Sequence, residues 1–298
     1  MAGKKNKSKE LYLSDKQPLN TAGKIGLIIS YIILILWALA IIIPLVIMVI
    51  SSFNGAQGKY ISVSGNYQFS LKFYEKLFKE THFLRWMWNT IKIAGISSIL
   101  TLIMVSFTGY AYSRFRFKGK KMSLLIIMLL QTIPTFAGIT AYYAIHSIIS
   151  GVWPVFSRTA ILILIYAGGG IASNTFILKG YIDSISTELD DAAKIDGCSN
   201  MQIYRLIIMP IARPMLAIIF LWSFIGPFMD YMTPKILLTN VKDYTLATGL
   251  FTFISDARTM NQPLFAAGGF LIAIPIVILF ISLRDQLVSG LSSGSVKG

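Results

Sequence analysis

Long apolar runs constrain this chain more than any other feature of its sequence. Six segments hold about 20 or more mostly apolar residues, the length that an α-helix needs to cross a bilayer. Charged residues make up 13% of the chain, about half of their share in a typical soluble domain. The six segments are residues 25–50, 91–112, 122–148, 159–178, 206–229 and 264–283. The sequence therefore predicts an all-α, polytopic membrane protein with six transmembrane helices in one domain, residues 25–285.

Basic residues in the short connections predict how these helices are oriented. Residues 113–121, SRFRFKGKK, contain five basic residues and no acid, and the N-terminal tail, residues 1–24, contains six basic residues. Because positive charge marks the cytoplasmic side, both tails (1–24 and 286–298) and the connection between the fourth and fifth spans are expected in the cytoplasm. The first outer loop, residues 51–85, also has five basic residues. It is longer and carries two acids, so it weighs less in the assignment of topology.

Composition argues against several classes of function. The net charge of +14 could suit nucleic acid, but the basic residues lie beside apolar segments and form no basic face interleaved with aromatic residues. One cysteine excludes an internal disulfide, and two histidines far from it in sequence argue against a metal site. The first apolar run is too long for the core of a signal peptide and is interpreted as a retained span.

No phosphate-binding loop is visible in the sequence. Each Gly-Lys pair lacks the following Ser or Thr and the preceding glycine-rich strand-to-helix context that would cradle a nucleotide. No nucleophile triad is visible either. The chain is therefore expected to be neither an enzyme nor a cofactor-binding protein, so any ATP would be hydrolysed by a partner subunit.

Residues 186–210, STELDDAAKIDGCSNMQIYRLIIMP, form the most informative polar segment. Residues 183–196 contain five of the thirteen acids of the chain. Thr187 with Asp190 and Ser199 with Gln202 match the capping-box pattern, and Gly197 suits the left-handed end of a helix. This spacing predicts a helix, a glycine turn and a second helix at the cytoplasmic surface. From spacing alone the segment could dock a partner or serve as a solvated linker.

The same segment resembles the signature loop of permease subunits of binding-protein-dependent ABC importers. That pattern has Glu-Ala-Ala, three further residues, Gly, nine further residues, Ile, one further residue, and Leu-Pro. Here Asp191, Ala192, Ala193, Gly197, Ile207 and Pro210 occupy the corresponding positions, with Asp191 in place of Glu and Met209 in place of Leu. The stretches 88–94, 107–121 and 236–250 resemble carbohydrate permeases of this group, and residues 287–298 resemble the end of the smaller permease of maltose and maltodextrin importers.

The resemblance implies a set of interaction sites. The loop would be a cytoplasmic coupling helix that docks into an ATPase through Glu188, Asp191, Ala192, Ala193 and Gly197, with Ile207 and Pro210 completing the pattern. The C-terminal tail would lie at the ATPase interface through Gly294, Ser295, Val296, Lys297 and Gly298. The last large outer loop would contact an extracellular sugar-binding protein through Leu238, Thr239, Asn240, Val241, Lys242, Asp243 and Tyr244.

The resemblance also implies the partners and the location: a second related permease, two ATPase subunits, a sugar-binding protein and an oligosaccharide such as a maltodextrin, in the inner membrane of a bacterial cell. An importer for another sugar and a secondary carrier are the alternatives. A secondary carrier usually needs an ionisable group within the membrane, and Lys92, Arg158 and Asp230 lie only near span ends, where snorkelling explains them.

The sugar path is poorly specified by the sequence. Gln131 and Asn174 are polar residues at membrane depth that could bond to sugar hydroxyls or instead join two helices. Pro134 is expected to kink the third span.

Overall fold

The computed structural model describes residues 21–61, 66–132, 138–153 and 156–294. These residues are predominantly helical, with one isolated β-bridge between Asn54 and Phe69, which confirms the all-α prediction. The helices are α1 Thr21–Ser52, α2 Lys72–Glu80, α3 Phe83–Arg114, α4 Lys120–Leu130, α5 Ile139–Val152, α6 Arg158–Asp183, α7 Glu188–Ile195, α8 Asn200–Ile203, α9 Met209–Ile211, α10 Arg213–Met229, α11 Met232–Leu237, α12 Leu246–Phe251 and α13 Gln262–Gly294. A π-helical turn, Tyr204–Ile208, joins α8 to α9, and a 3₁₀ turn, Val241–Asp243, precedes α12.

Four helices of the described residues are long and apolar enough to cross a membrane: α1, α3, α6 and α13. They correspond to the first, second, fourth and sixth predicted spans. The α1 span buries none of its most apolar window against the rest of the chain, and its most extensive contact is with α13. Such an exposed apolar surface is stable only where lipid or another subunit covers it.

The fifth predicted span, residues 206–229, is bent. The helical stretch Asn200–Ile211 meets α10 at an angle of 76°, so the residues of this span form two helical stretches with a bend between them. Pro214 lies in the first turn of α10 and has no N–H to continue a helix from the preceding residues. The 17 residues of α10, about 25 Å at 1.5 Å per residue, form the longer arm of the bent pair.

The third predicted span, residues 122–148, corresponds to two shorter helices. The helices α4 and α5 contain 11 and 14 residues, each below the roughly 20 residues that a spanning helix needs. Residues 133–137, with Pro134, lie outside the described residues. Six transmembrane helices therefore remain a prediction.

Helix α3 lies at the centre of the molecule and packs most extensively against α6 and α10. Near its N-terminal half a cluster of buried side chains includes Leu77, Trp86 and Leu246. Near its C-terminal half a second cluster includes Val105 and Ile208. Two separate apolar clusters thus fix the two ends of the same helix, as expected when burial supplies most of the packing energy.

Candidate functional site

The segment 186–210 folds as the predicted pair of short helices, but α7 begins differently than expected. Thr187 has helical backbone angles, φ −69° and ψ −17°, and its side chain makes no capping bond, so the capping box predicted there is wrong. A capping side chain usually stands on extended backbone in order to reach the N–H groups of the next turn. Ser186 Oγ instead accepts a bond from the Glu188 N–H, 3.3 Å away.

The turn after α7 depends on Gly197, whose φ of +84° confirms the predicted left-handed conformation. The Gly197 N–H donates to Lys194 O at 3.0 Å, and the Cys198 N–H donates to Ala193 O at 2.9 Å. Together these bonds form a Schellman motif, which satisfies carbonyl groups at the end of a helix. A Cβ at Gly197 would meet no heavy atom within 4 Å, so the backbone angle and not crowding favours glycine here.

The second capping box is confirmed at the start of α8. The Ser199 N–H donates to Gln202 Oε1 at 2.7 Å, and the Gln202 N–H donates to Ser199 Oγ at 3.4 Å. These reciprocal bonds satisfy N–H groups that the first turn of a helix leaves free. The chain therefore starts a new helix directly after the glycine turn. We call α7, this turn and α8, with their flanking residues (187–204), the elbow.

One face of α7 packs against the body of the protein through a buried ion pair. Asp190 and Ala193 are buried, and Asp190 Oδ2 lies 2.9 Å from Arg114 Nε at the end of α3. The two side chains are only 7% and 10% exposed, and the pair lacks the alignment of a hydrogen bond. Arg114 Nη2 also donates to Ile185 O at 3.0 Å. The prediction from the loop pattern did not include Arg114, which lies far from the loop in sequence.

The opposite face of α7 is exposed and carries apolar residues among charged ones. Leu189 and Ile195 are 43% and 88% exposed, and Ala192 between them is also exposed. Glu188 and Asp191 are exposed beside them. A cavity of about 360 Å³ opens next to Asp191, between α7 and the end of α3. A short helix with one anchored face and one free face that exposes apolar side chains has the form of a docking element.

The two remaining signature positions lie after the elbow. Ile207 is half-buried in the π-helical turn and packs against the second apolar cluster. Pro210 lies in α9, just before the 76° bend. The structure thus separates the signature residues into an exposed part on α7 and a packed part that supports the bend.

The loop 238–244 is anchored at both ends and exposed at its tip. Leu238 and Tyr244 are 2% and 8% exposed, whereas Thr239, Asn240, Val241 and Lys242 are exposed and Asp243 is half-buried. Asn240 Oδ1 accepts a bond from the Lys242 N–H at 3.0 Å, which closes the turn. The tip is therefore presented as a defined turn and is available to a partner.

Asn174 lies in a groove between α6 and α10 with a volume of about 360 Å³. Tyr166, Trp222 and Asp230 line the same groove, and Trp222 is 67% exposed. The Tyr166 hydroxyl donates to Asp230 Oδ2 at 3.0 Å. Asp230 Oδ1 accepts bonds from the N–H groups of Met232 and Thr233 at 2.8 and 3.2 Å. Asp230 is thus held by hydrogen bonds within the fold, in contrast to the snorkelling expected of it. Among the residues of this groove, only Asn174 was predicted from the sequence to lie on a sugar path.

Two other predicted sites stand apart from these groups. Gln131 is an exposed residue at the C-terminal end of α4 and does not line the groove that contains Asn174. Gly294 is the last residue of α13, which continues through residues 286–294, and Ser295, Val296, Lys297 and Gly298 lie outside the described residues.

Residues 107–293 match the family described as binding-protein-dependent transport system inner membrane component. The matched range contains the elbow, the groove and the loop 238–244. The chain belongs to this family. A permease of this family is a membrane component, which agrees with the apolar helices α1, α3, α6 and α13.

Similar proteins cover nearly the whole chain. The maltodextrin transport system permease protein MdxG of Bacillus subtilis is 39% identical over 279 residues, which are 94% of this chain and 99% of that protein. The galactooligosaccharides transport system permease protein GanQ of the same organism is 38% identical over 277 residues, 92% of this chain and 96% of that protein.

A solved structure supports the fold assignment. It is a bacterial ABC transporter involved in the import of the acidic polysaccharide alginate, and one of its chains aligns with a TM-score of 0.72 at 20% identity. The alignment covers 91% of this chain and 99% of that one. The protein therefore has the fold of an ABC transporter permease.

Proposed function

We propose that this permease imports an oligosaccharide, specifically a maltodextrin-like α-glucoside, and that it forms half of the translocation path of an ATP-driven transporter. The names of similar proteins support the substrate class, because MdxG and GanQ both serve oligosaccharide transport systems. Further permeases of maltodextrin or maltose transport systems are 32–37% identical to this chain, which favours an α-glucoside. A galactooligosaccharide is the second candidate for the same site.

The observation that carries the proposal is the free face of α7. Ala192 lies between the exposed side chains of Leu189 and Ile195, on a helix whose other face is fixed by the Asp190–Arg114 ion pair. A small residue at this position lets the surface of a partner come close. The partner is a cytoplasmic ATPase subunit, and Glu188, Asp191 and Gly197 belong to the same contact.

The complete transporter contains a second related permease, two ATPase subunits and an extracellular sugar-binding protein. Both termini of this chain lie in the cytoplasm, and residues 294–298 contact the ATPases. ATP binding closes the ATPases, moves the elbow and turns the permease pair from inward-facing to outward-facing. The chain itself binds no nucleotide.

The loop 238–244 meets the binding protein on the outer side. Its exposed tip and buried ends support this role, because a binding loop needs a rigid scaffold. The sugar then enters the groove between α6 and α10. Trp222 offers an aromatic surface for a sugar ring, and Asn174 offers amide groups for hydroxyls.

Reconstituted proteoliposomes test the proposal. The permease pair, the ATPases and the liganded binding protein should give uptake of labelled maltodextrin that requires ATP on the ATPase side. An excess of unlabelled galactooligosaccharide should compete weakly, whereas strong competition would favour the second candidate. Uptake that follows a proton or sodium gradient without ATP would assign the chain to the secondary carriers and overturn the proposal.

A further inference from the structure

Helix α3 is continuous from the loop 238–244 to the elbow. It contains 32 residues and no proline, from Phe83 to Arg114, and extends about 48 Å at 1.5 Å per residue. The structure shows this helix unbroken over its whole length, without a proline at which it would kink. The helix can therefore carry a displacement from one end to the other.

The N-terminal end of α3 holds the loop 238–244 by polar contacts. Trp86 Nε1 donates to Val241 O at 2.7 Å. Asn89 Nδ2 donates to Lys242 O at 3.1 Å and to Tyr244 O at 3.2 Å. Because these bonds go to backbone carbonyls, they fix the path of the loop whatever side chains it carries.

Two further contacts strengthen this end. Thr90 Oγ1 accepts a bond from the Leu246 N–H at 2.7 Å, and Arg85 forms an exposed ion pair with Asp243 at 3.3 Å. The buried hydrogen bond contributes more than the exposed ion pair, because water screens the latter. The loop and the start of α3 thus behave as one body.

The C-terminal end of α3 holds the elbow in the same way. Besides the Arg114–Asp190 pair, the Tyr110 hydroxyl donates to Asn200 O at 3.2 Å. Ser106 Oγ and the Tyr204 hydroxyl lie 2.8 Å apart in a buried hydrogen bond. The elbow is joined covalently to α6 and α10, so these contacts to α3 are an additional, non-covalent connection.

We propose that α3 is a strut that links the binding-protein loop mechanically to the ATPase-docking elbow, with Asn89 and Arg114 as the positioning residues at its two ends. The inference rests on the proposed function for the identity of the two partners. Asn89 and Arg114 lie about 38 Å apart along the helix. Each acts through the element that it holds and touches neither sugar nor nucleotide.

If α3 is a strut, the contact between Arg114 and the elbow is needed for the binding protein to stimulate the ATPases. The measurement is the ratio of the ATPase rate with liganded binding protein to the rate without it, in the reconstituted transporter. Arg114→Gln should lower this ratio about fivefold or more, within the usual range of coupling between sites. Arg116→Gln, an exposed arginine of the same connection, should leave it unchanged. An unchanged ratio in Arg114→Gln would mean that α6 and α10 transmit the signal to the elbow, and it would contradict the proposal that α3 does so.

A double variant tests whether the two ends act in series. Asn89→Leu should also lower the ratio, because it removes both hydrogen bonds that Asn89 donates to the loop. Combined with Arg114→Gln, it should cause no greater loss than the more severe single variant, since a connection broken once transmits nothing more when it is broken again. Losses that multiply would indicate two independent routes and contradict the strut.

Copurification separates this inference from the proposed function and from misfolding. A purely structural role would reduce the amount of assembled complex and lower both ATPase rates together, leaving their ratio intact. If the wild-type permease fails to copurify with the ATPases, the proposed function fails. If the complex forms and the Arg114→Gln ratio is normal, the strut alone fails.

Discussion

At the scale of single residues, Gly197 occupies the position of the elbow whose backbone conformation most restricts the residue type. Its φ of +84° suits glycine, and a β-branched residue in that conformation is strained by about 1–2 kcal/mol or more. The geometry could be predicted from the sequence because all of its causes are local: an acidic first turn, a glycine and a capping box within one short segment.

Gly197→Val should therefore distort the elbow and uncouple ATP hydrolysis from uptake. The measurement is the number of sugar molecules imported per ATP hydrolysed, which should fall about tenfold if the strain shifts the elbow by about 1.4 kcal/mol. Gly180→Val is the matched control, because a Cβ at Gly180 would meet no heavy atom within 4 Å and its backbone is not left-handed. Equal effects of the two variants would contradict this role of Gly197.

Trp222 is the residue of the groove with the largest exposed aromatic surface. Trp222→Ala should raise the half-saturating concentration for sugar transport about fivefold, which corresponds to about 1 kcal/mol for one lost stacking contact. Trp153→Ala is the control, because Trp153 is 71% exposed and does not line the groove. A normal value in Trp222→Ala, measured by uptake at graded concentrations, would remove this groove from the sugar path.

Other residues of these sites could not be predicted from the sequence. Arg114 and Asp190 meet only because α3 and α7 pack together, and Trp222 and Asp230 join Asn174 only because α6 and α10 enclose a groove. Gln131 was placed with Asn174 by polarity and apparent depth alone. A hydropathy pattern indicates how deep a residue lies in the membrane, but it does not indicate which side of the helix faces the translocation path.

At the scale of helices, hydropathy located four long helices but predicted neither their full lengths nor the bend in the fifth span. The apolar runs identified α1, α3, α6 and α13 because a spanning helix must be long and uncharged. The 76° bend before α10 was missed, since a continuous apolar run looks the same whether it is straight or bent. Prolines at 210 and 214 were the available signal.

The contact between α3 and α12 gives a prediction at this scale. A Cβ at Gly249 would lie 2.2 Å from the ring of Trp86, which is itself buried. Gly249→Ala should thus destabilise the packing by about 1–3 kcal/mol through overpacking. Thermal unfolding of the purified complex in detergent measures the effect. Gly95→Ala, on α3 with open space around it, should be nearly neutral, and equal melting temperatures for both variants would contradict the prediction.

At the scale of the whole molecule, the proposed topology places the elbow and the loop 238–244 on opposite sides of the membrane. In a Cys198→Ser background, Lys118→Cys should react with an impermeant maleimide only after the cytoplasmic side is opened. Asn240→Cys should react in intact cells or spheroplasts. Both residues are exposed. Labelling of both positions from the same side would contradict the orientation derived from the basic connections.

Site-directed crosslinking at Ala192 tests the central claim, that α7 docks into a separate ATPase. Ala192→Cys in the Cys198→Ser background should form a crosslink to the ATPase subunit in the assembled transporter, with an efficiency that changes when ATP is added. Lys118→Cys, exposed on the same proposed side but outside α7, should crosslink far less. A crosslink at Ala192 to the ATPase is the predicted result, and an Ala192→Cys thiol that stays freely reactive in the complete transporter would contradict the account.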